Sequence, residues 1–149
     1  VPVTAAAGYF CRVFDRTDAE MVELNEAIVD RSVEGARGGP VNLASATAAS
    51  LDRVLGALDA DDALATRVEV FGPTVMGVGD YLDTRLVELA VHLDDLHHSV
   101  FGAAAPLPEA SASRSIGVLA EVARRRTGTS AAIASLCRTE RSDTAFTAF

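Results

Sequence analysis

Residues 81–100, YLDTRLVELAVHLDDLHHSV, constrain the fold more than any other stretch of this chain. Leu82, Leu86, Val87, Leu89, Ala90, Val91, Leu93 and Leu96 cover most of a helix circumference, which predicts a helix packed on several sides. Arg85, Glu88, His92 and Asp95 interrupt that surface at spacings of three, four and three, in one line along a single face. Ionisable groups withdrawn from water are costly unless they are paired or bound to a metal. The line is therefore either an ion-pair network or a site.

The rest of the chain reads as further helices. Residues 4–33 carry Phe10, Val13, Phe14, Met21, Leu24 and Ile28 at helical spacing, with a break expected near Asp15 to Asp18. Gly35-Ala36-Arg37-Gly38-Gly39-Pro40 ends that run. A second helix is expected from about Ser45 to Leu58, with Leu51, Val54, Leu55 and Leu58 on one face. Residues 67–71, RVEVF, alternate but stop at Gly72-Pro73, so they read as an extended connector or at most a short edge strand. The central helix is expected to start near Gly79-Asp80, with Asp80 as its N-cap, and to end around Phe101-Gly102. Residues 109–126 predict another helix, with Ile116, Leu119, Ala120 and Ala123 inward and Arg124, Arg125 and Arg126 at its solvated, negative dipole end. Residues 130–141 predict a last helix capped by Ser130. The sum is an all-α, antiparallel bundle of about five helices in a single domain, residues 1–149.

Charge and cysteine content narrow the function. The net charge is −8 and all thirteen basic residues are arginines, which argues against a nucleic-acid partner. No apolar run approaches the roughly 18 residues that span a bilayer, and the opening VPVTAAAGYF lacks the basic region of an export signal. Cys11 and Cys137 are isolated thiols without CxxC spacing, as in a cytoplasmic protein with reduced cysteines. Cys11, on an apolar helix face, reads as core.

Glu88 and His92, four residues apart, can reach one point in space, and a carboxylate with an imidazole suits Zn²⁺ or a similar divalent ion. Arg85 could hold a substrate carboxylate through a fork of two hydrogen bonds, and Asp95 could orient an imidazole. The plainer account pairs Glu88 with Arg85 and His92 with Asp95, and binds nothing. His97 and His98 lie well around the helix from His92 and belong at its solvated end.

The segment Arg85-Leu86-Val87-Glu88-Leu89-Ala90-Val91-His92-Leu93-Asp94-Asp95-Leu96 closely resembles the mycothiol-dependent maleylpyruvate isomerase family, within the DinB/YfiT-like superfamily of four-helix-bundle metalloproteins. The family segment reads R-x-x-E-x-x-x-H-x-x-D-L, and every fixed position is present here. Gly79-Asp80-Tyr81-Leu82 and the aromatic stretch GYFCRVFDRTDAEMVELN are similar to the group as well. The resemblance implies a DinB-like bundle and a divalent metal, usually zinc, held by Glu88, His92 and one earlier histidine. It implies catalytic positions at Arg85 and Asp95, in substrate or thiol contact and in support of the ligands. It also implies mycothiol, a low-molecular-weight thiol, as co-substrate. In an isomerase of this kind the thiol adds to a maleyl double bond, permits rotation and is eliminated. In a related S-transferase the thiolate attacks an electrophile. A bound metal depresses the thiol pKa and raises the thiolate fraction.

One departure stands out. The family's first ligand lies in a W-x-x-x-x-V-x-x-H-like segment, whereas this chain has no tryptophan and its only histidines are His92, His97 and His98. Two protein ligands are fewer than the three plus water of a typical catalytic zinc. Three accounts stay open: a segment upstream of Val1, which the absence of an initiator Met favours; substitution by an acidic residue such as Glu20 or Glu23; or a metal-free site. The last corresponds to a rival function, a catalytically silent interaction module that forms a homodimer.

Overall fold

The computed structural model describes residues 4–60, 62–70, 74–138, 147 and 148. Among them the elements run α1 (Ala6–Phe14), α2 (Asp18–Ala36), α3 (Gly39–Leu58), β1 (Arg67–Glu69), β2 (Val75–Gly77), α4 (Val78–Phe101), α5 (Glu109–Thr127) and α6 (Thr129–Cys137). A single turn of 3-10 helix at Ala63–Ala65 precedes β1. The architecture is the expected all-α one, with one small antiparallel ribbon. Among the described residues no helix is long and apolar enough to cross a membrane.

The expected break after α1 has a local cause. Thr17 takes an extended conformation and caps α2 through a capping box. Its Oγ1 accepts from the Glu20 N–H at 3.3 Å, while Glu20 Oε2 accepts from the Thr17 N–H at 2.8 Å. After α2 the chain turns at once into α3, which begins at Gly39 rather than near Ser45. Pro40 explains the difference: in the first turn of a helix its missing N–H costs nothing. The glycine-proline segment thus ends one helix and opens the next.

Two compact units result, one comprising Asp15–Thr66 and the other the described residues of Val1–Phe14 and Arg67–Phe149. In the first unit, α2 and α3 form a hairpin in which neither helix has a fully buried residue. In the second, α1, α4 and α5 pack on one another. Phe10, Val87 and Val122 are the heart of that core, with Tyr9, Cys11, Val91, Val118 and Leu119 around them. Cys11 thus packs against the core, as read from sequence, while Cys137 is exposed.

Several expectations are corrected here. Asp80 is not the cap of α4, whose N-cap is Gly77. Instead, Asp80 Oδ1 accepts from the Ala6 N–H at 3.1 Å and caps α1, a helix distant in sequence. By contrast, the short edge strand that the sequence allowed at 67–71 is present over Arg67–Glu69: β1 pairs with β2 in the register Arg67↔Gly77, Val68↔Met76 and Glu69↔Val75, and Met76 is wholly buried. Phe71 lies outside the described residues. On α5 the buried positions are Ser115, Val122 and Ala123, so Ile116, expected inward, lies 64% exposed. Arg114, on the neighbouring exposed position, donates twice to Asp83 on α4, at 2.8 and 2.6 Å. Ser130 does not cap α6, which starts at Thr129 behind Gly128 in a positive-φ conformation (φ 91°). The expected end of that helix, residues 139–141, lies outside the described residues.

Two measurements check this account. Phe10→Ala is expected to cost about 3–5 kcal/mol in urea unfolding, whereas Ile116→Ala should stay within about 0.5 kcal/mol. Hydrogen bonds from Arg124 and Arg125 pull the Glu121 carboxyl from 4.5 to about 2. A depressed folded-state pKa gives stability that is present above the unfolded value and lost as pH falls through the folded one. Glu121→Gln is therefore expected to flatten the decline in stability between about pH 4.5 and pH 2.

Candidate functional site

The rotation of α4 about its axis decides where its polar line points. Thr84, Val87 and Ala90 are buried against the neighbouring helices. Leu89, Leu93 and Leu96 are exposed, so the expectation of a helix packed on several sides fails. The polar line falls between these faces and is not withdrawn from water: the His92 and Asp95 side chains are each 72% exposed and Glu88 is 39% exposed. Burial cost therefore does not force these groups to pair.

The structure brings Glu88, His92 and Asp95 together around one imidazole. His92 Nε2 lies 3.4 Å from Glu88 Oε2, and Nδ1 lies 3.9 Å from Asp95 Oδ2. Arg85 does not join them and is not paired with Glu88, as the plain ion-pair account had it. Its Nε donates to Thr84 Oγ1 at 3.2 Å and its Nη2 to the Tyr9 hydroxyl at 3.3 Å. The guanidinium carbon sits 5.9 Å from the Tyr9 ring centroid and 5.4 Å from that of Tyr81, held by cation–π attraction to both. Burial raises the Tyr9 pKa above 10.0, and the charge and hydrogen bond of Arg85 oppose that rise. Sequence reasoning did not assign Tyr9 a role. Only its aromatic character, in a helix far from residue 85 in sequence, pointed that way.

The remaining candidates sit apart from the line. His97 Nδ1 donates to the Ala103 carbonyl at 2.8 Å and its ring lies 4.7 Å from Phe101, which fastens the loop behind α4. His98 is exposed. Gly102 closes the helix in the left-handed conformation (φ 67°), a C-cap suited to glycine. Glu20 spends its carboxylate on the α2 capping box, and Glu23 is exposed on the same helix.

A metal ion was expected from the resemblance, and the donor chemistry of Glu88 and His92 fits one. The number of donors does not: among the described residues no group of three or more His, Cys, Asp or Glu side chains is placed to hold a metal. Two ligands leave such a site incomplete.

Residues 6–97 match the family model described as the mycothiol maleylpyruvate isomerase N-terminal domain. The chain belongs to that family. The matched region runs from α1 into α4 and includes Arg85, Glu88, His92 and Asp95, while α5 and α6 follow it. No curated protein and no solved structure matches the chain. Membership relates this chain to a mycothiol-related enzyme family.

The Tyr9–Arg85 contact can be tested by tyrosinate absorbance, since the chain has two tyrosines. Removing a cation that favours the phenolate raises a phenol pKa. Arg85→Gln is accordingly expected to push the higher tyrosine titration upward, and an unchanged profile would contradict the contact.

Proposed function

We propose that this chain is a cytoplasmic, thiol-dependent isomerase or S-transferase in which Glu88 and His92 hold a divalent metal ion, zinc by preference, and mycothiol is the co-substrate. One observation carries this reading: the 3.4 Å between Glu88 Oε2 and His92 Nε2. Two ligand atoms on a tetrahedral zinc, each about 2 Å from it, stand roughly 3.3 Å apart. The pair therefore has the separation of two ligands without rearrangement of the helix. Further ligands must come from outside the described residues or from a partner, and the partial exposure of both side chains leaves room for them.

Within this reading each residue of the line has its own task. Asp95, on the Nδ1 side of His92, favours the tautomer that leaves Nε2 as the ligand atom. Glu88 supplies the negative charge that a divalent ion prefers. Arg85 anchors the acidic part of a substrate. A bound metal would lower the pKa of an arriving thiol, so that more of it is thiolate at neutral pH.

A rival reading, a metal-free interaction module that dimerises, draws on a different observation. Leu89, Leu93, Leu96 and Val100 form an exposed row on α4 at spacings of four, three and four. Such spacing makes one continuous apolar seam. A sedimentation coefficient that rises with concentration would favour this rival, and a concentration-independent monomer would count against it.

Elemental analysis of protein purified without chelator tests the main reading. About one equivalent of zinc or a similar ion is expected, by the coordination argument above. Glu88→Ala and His92→Ala should each abolish it while the helical circular dichroism is kept. Metal content unchanged in both variants would overturn the assignment.

A further inference from the structure

A second feature lies one helical turn before Glu88. Tyr9 of α1, Glu69 and Val70 at the end of β1, and Tyr81 and Arg85 of α4 line a pocket of about 250 Å³. Arg85 is its centrepiece. Tyr9 and Tyr81 flank the guanidinium, and Thr84 and Tyr9 each accept one hydrogen bond from it. A guanidinium has further N–H donors on both terminal nitrogens. Here the Nη1 pair has no partner among the described residues, and no described carboxylate lies within ion-pairing reach of Arg85.

An arginine set between two aromatic rings, with N–H donors to spare, is prepared for a planar anion. The rings restrict its rotamers in advance, so less freedom is lost when two parallel hydrogen bonds form to a carboxylate. The pocket sets a second condition through Glu69. A ligand with a second negative charge would place it in the same small space as that carboxylate. A ligand with a hydroxyl or ammonium group would give Glu69 a hydrogen bond instead.

We infer that this pocket binds a small monocarboxylate bearing a hydroxyl or amino group, with the acid on Arg85 and the donor group towards Glu69. Dianions such as maleyl-type dicarboxylates and phosphate are selected against. The inference deepens the functional reading by naming the polar groups through which an acid substrate would be held. It rests on that reading only in treating the bound acid as substrate, since binding itself needs no metal.

The test uses the full 149-residue chain after chelator treatment. Calorimetry and the arginine side-chain N–H resonances follow titrations with glycolate, 3-hydroxypropionate, glycine, β-alanine, methyl glycolate, maleate and inorganic phosphate. At least one of the four acids with a donor group is expected to bind saturably and to shift an Arg85 signal. Methyl glycolate should not bind, and maleate and phosphate should bind about tenfold more weakly or worse, equivalent to about 1.4 kcal/mol. Arg85→Gln should weaken the acid by about tenfold or more, and Arg85→Lys, which keeps the charge but not the fork, should weaken it as well. Glu69→Gln should narrow the gap between that acid and maleate, and it carries the test should the Arg85 variants fail to fold. The double variant Glu88→Ala with His92→Ala should bind the acid as the unaltered chain does, which separates this inference from the metal assignment. Absence of binding by all four acids, tighter binding of maleate or phosphate, or equal affinity in a folded Arg85→Gln variant would each overturn it.

Discussion

The packing of Thr84, Val87 and Ala90 against α1 and α5 fixes the rotation of α4, and most of what is chemically interesting in this protein follows from that rotation. Val87 is buried in the core with Phe10 and Val122. With that face inward, Arg85 is carried towards α1 and β1, while Glu88 and His92 turn to solvent on the next turns. A slip of one residue would send the ligand pair inward and strand Arg85 away from Tyr9. The small side chains of Thr84 and Ala90 matter as well, because they let neighbouring helices approach closely and lock the angle.

Long-range caps and ties hold the frame. Asp80, in the first turn of α4, caps the start of α1, and Thr4 donates to the Val75 carbonyl of β2 at 3.1 Å. Asp83 and Arg114 join α4 to α5 on the outer side. These contacts place Tyr9 opposite the Arg85 turn. The result is two unlike polar features on one helix: a cation set in a pocket between two aromatic rings, and an exposed carboxylate–imidazole pair. In the proposed function the first would position an acid and the second would hold a metal ion.

The element types were legible in sequence wherever a strong local signal existed. A break was legible near Asp15 to Asp18, Gly102 marked the end of α4, and the spacing of Arg85, Glu88, His92 and Asp95 marked the polar line. What sequence concealed depended on partners distant in the chain. Asp80 looked like a cap for its own helix, since nothing in its neighbourhood reveals that Ala6 lies beside it. β2 is only three residues long, too short for alternation to register, so the partner of RVEVF was not legible. On α5, Ala123 and Leu119 face the core as expected, but Ile116 does not, because the core is centred on Val122 and Ser115 takes the inward position. Hydrophobicity on every side of α4 suggested burial on every side, whereas only one stripe has neighbouring helices against it. The Arg85–Tyr9 contact joins residues 76 positions apart, and no local pattern encodes it.

Residue-resolved zinc titration tests the central claim most directly. The chain has three histidines, so the imidazole resonances can be followed individually by NMR as zinc is added to metal-free protein. The account predicts that His92 shifts first and saturates near one equivalent, while His97, bonded to Ala103, and His98, at the exposed end of α4, keep their positions. If His92 remains unmoved at one equivalent, or shifts only together with His97 and His98, then the Glu88–His92 pair is not a metal site and the functional account fails.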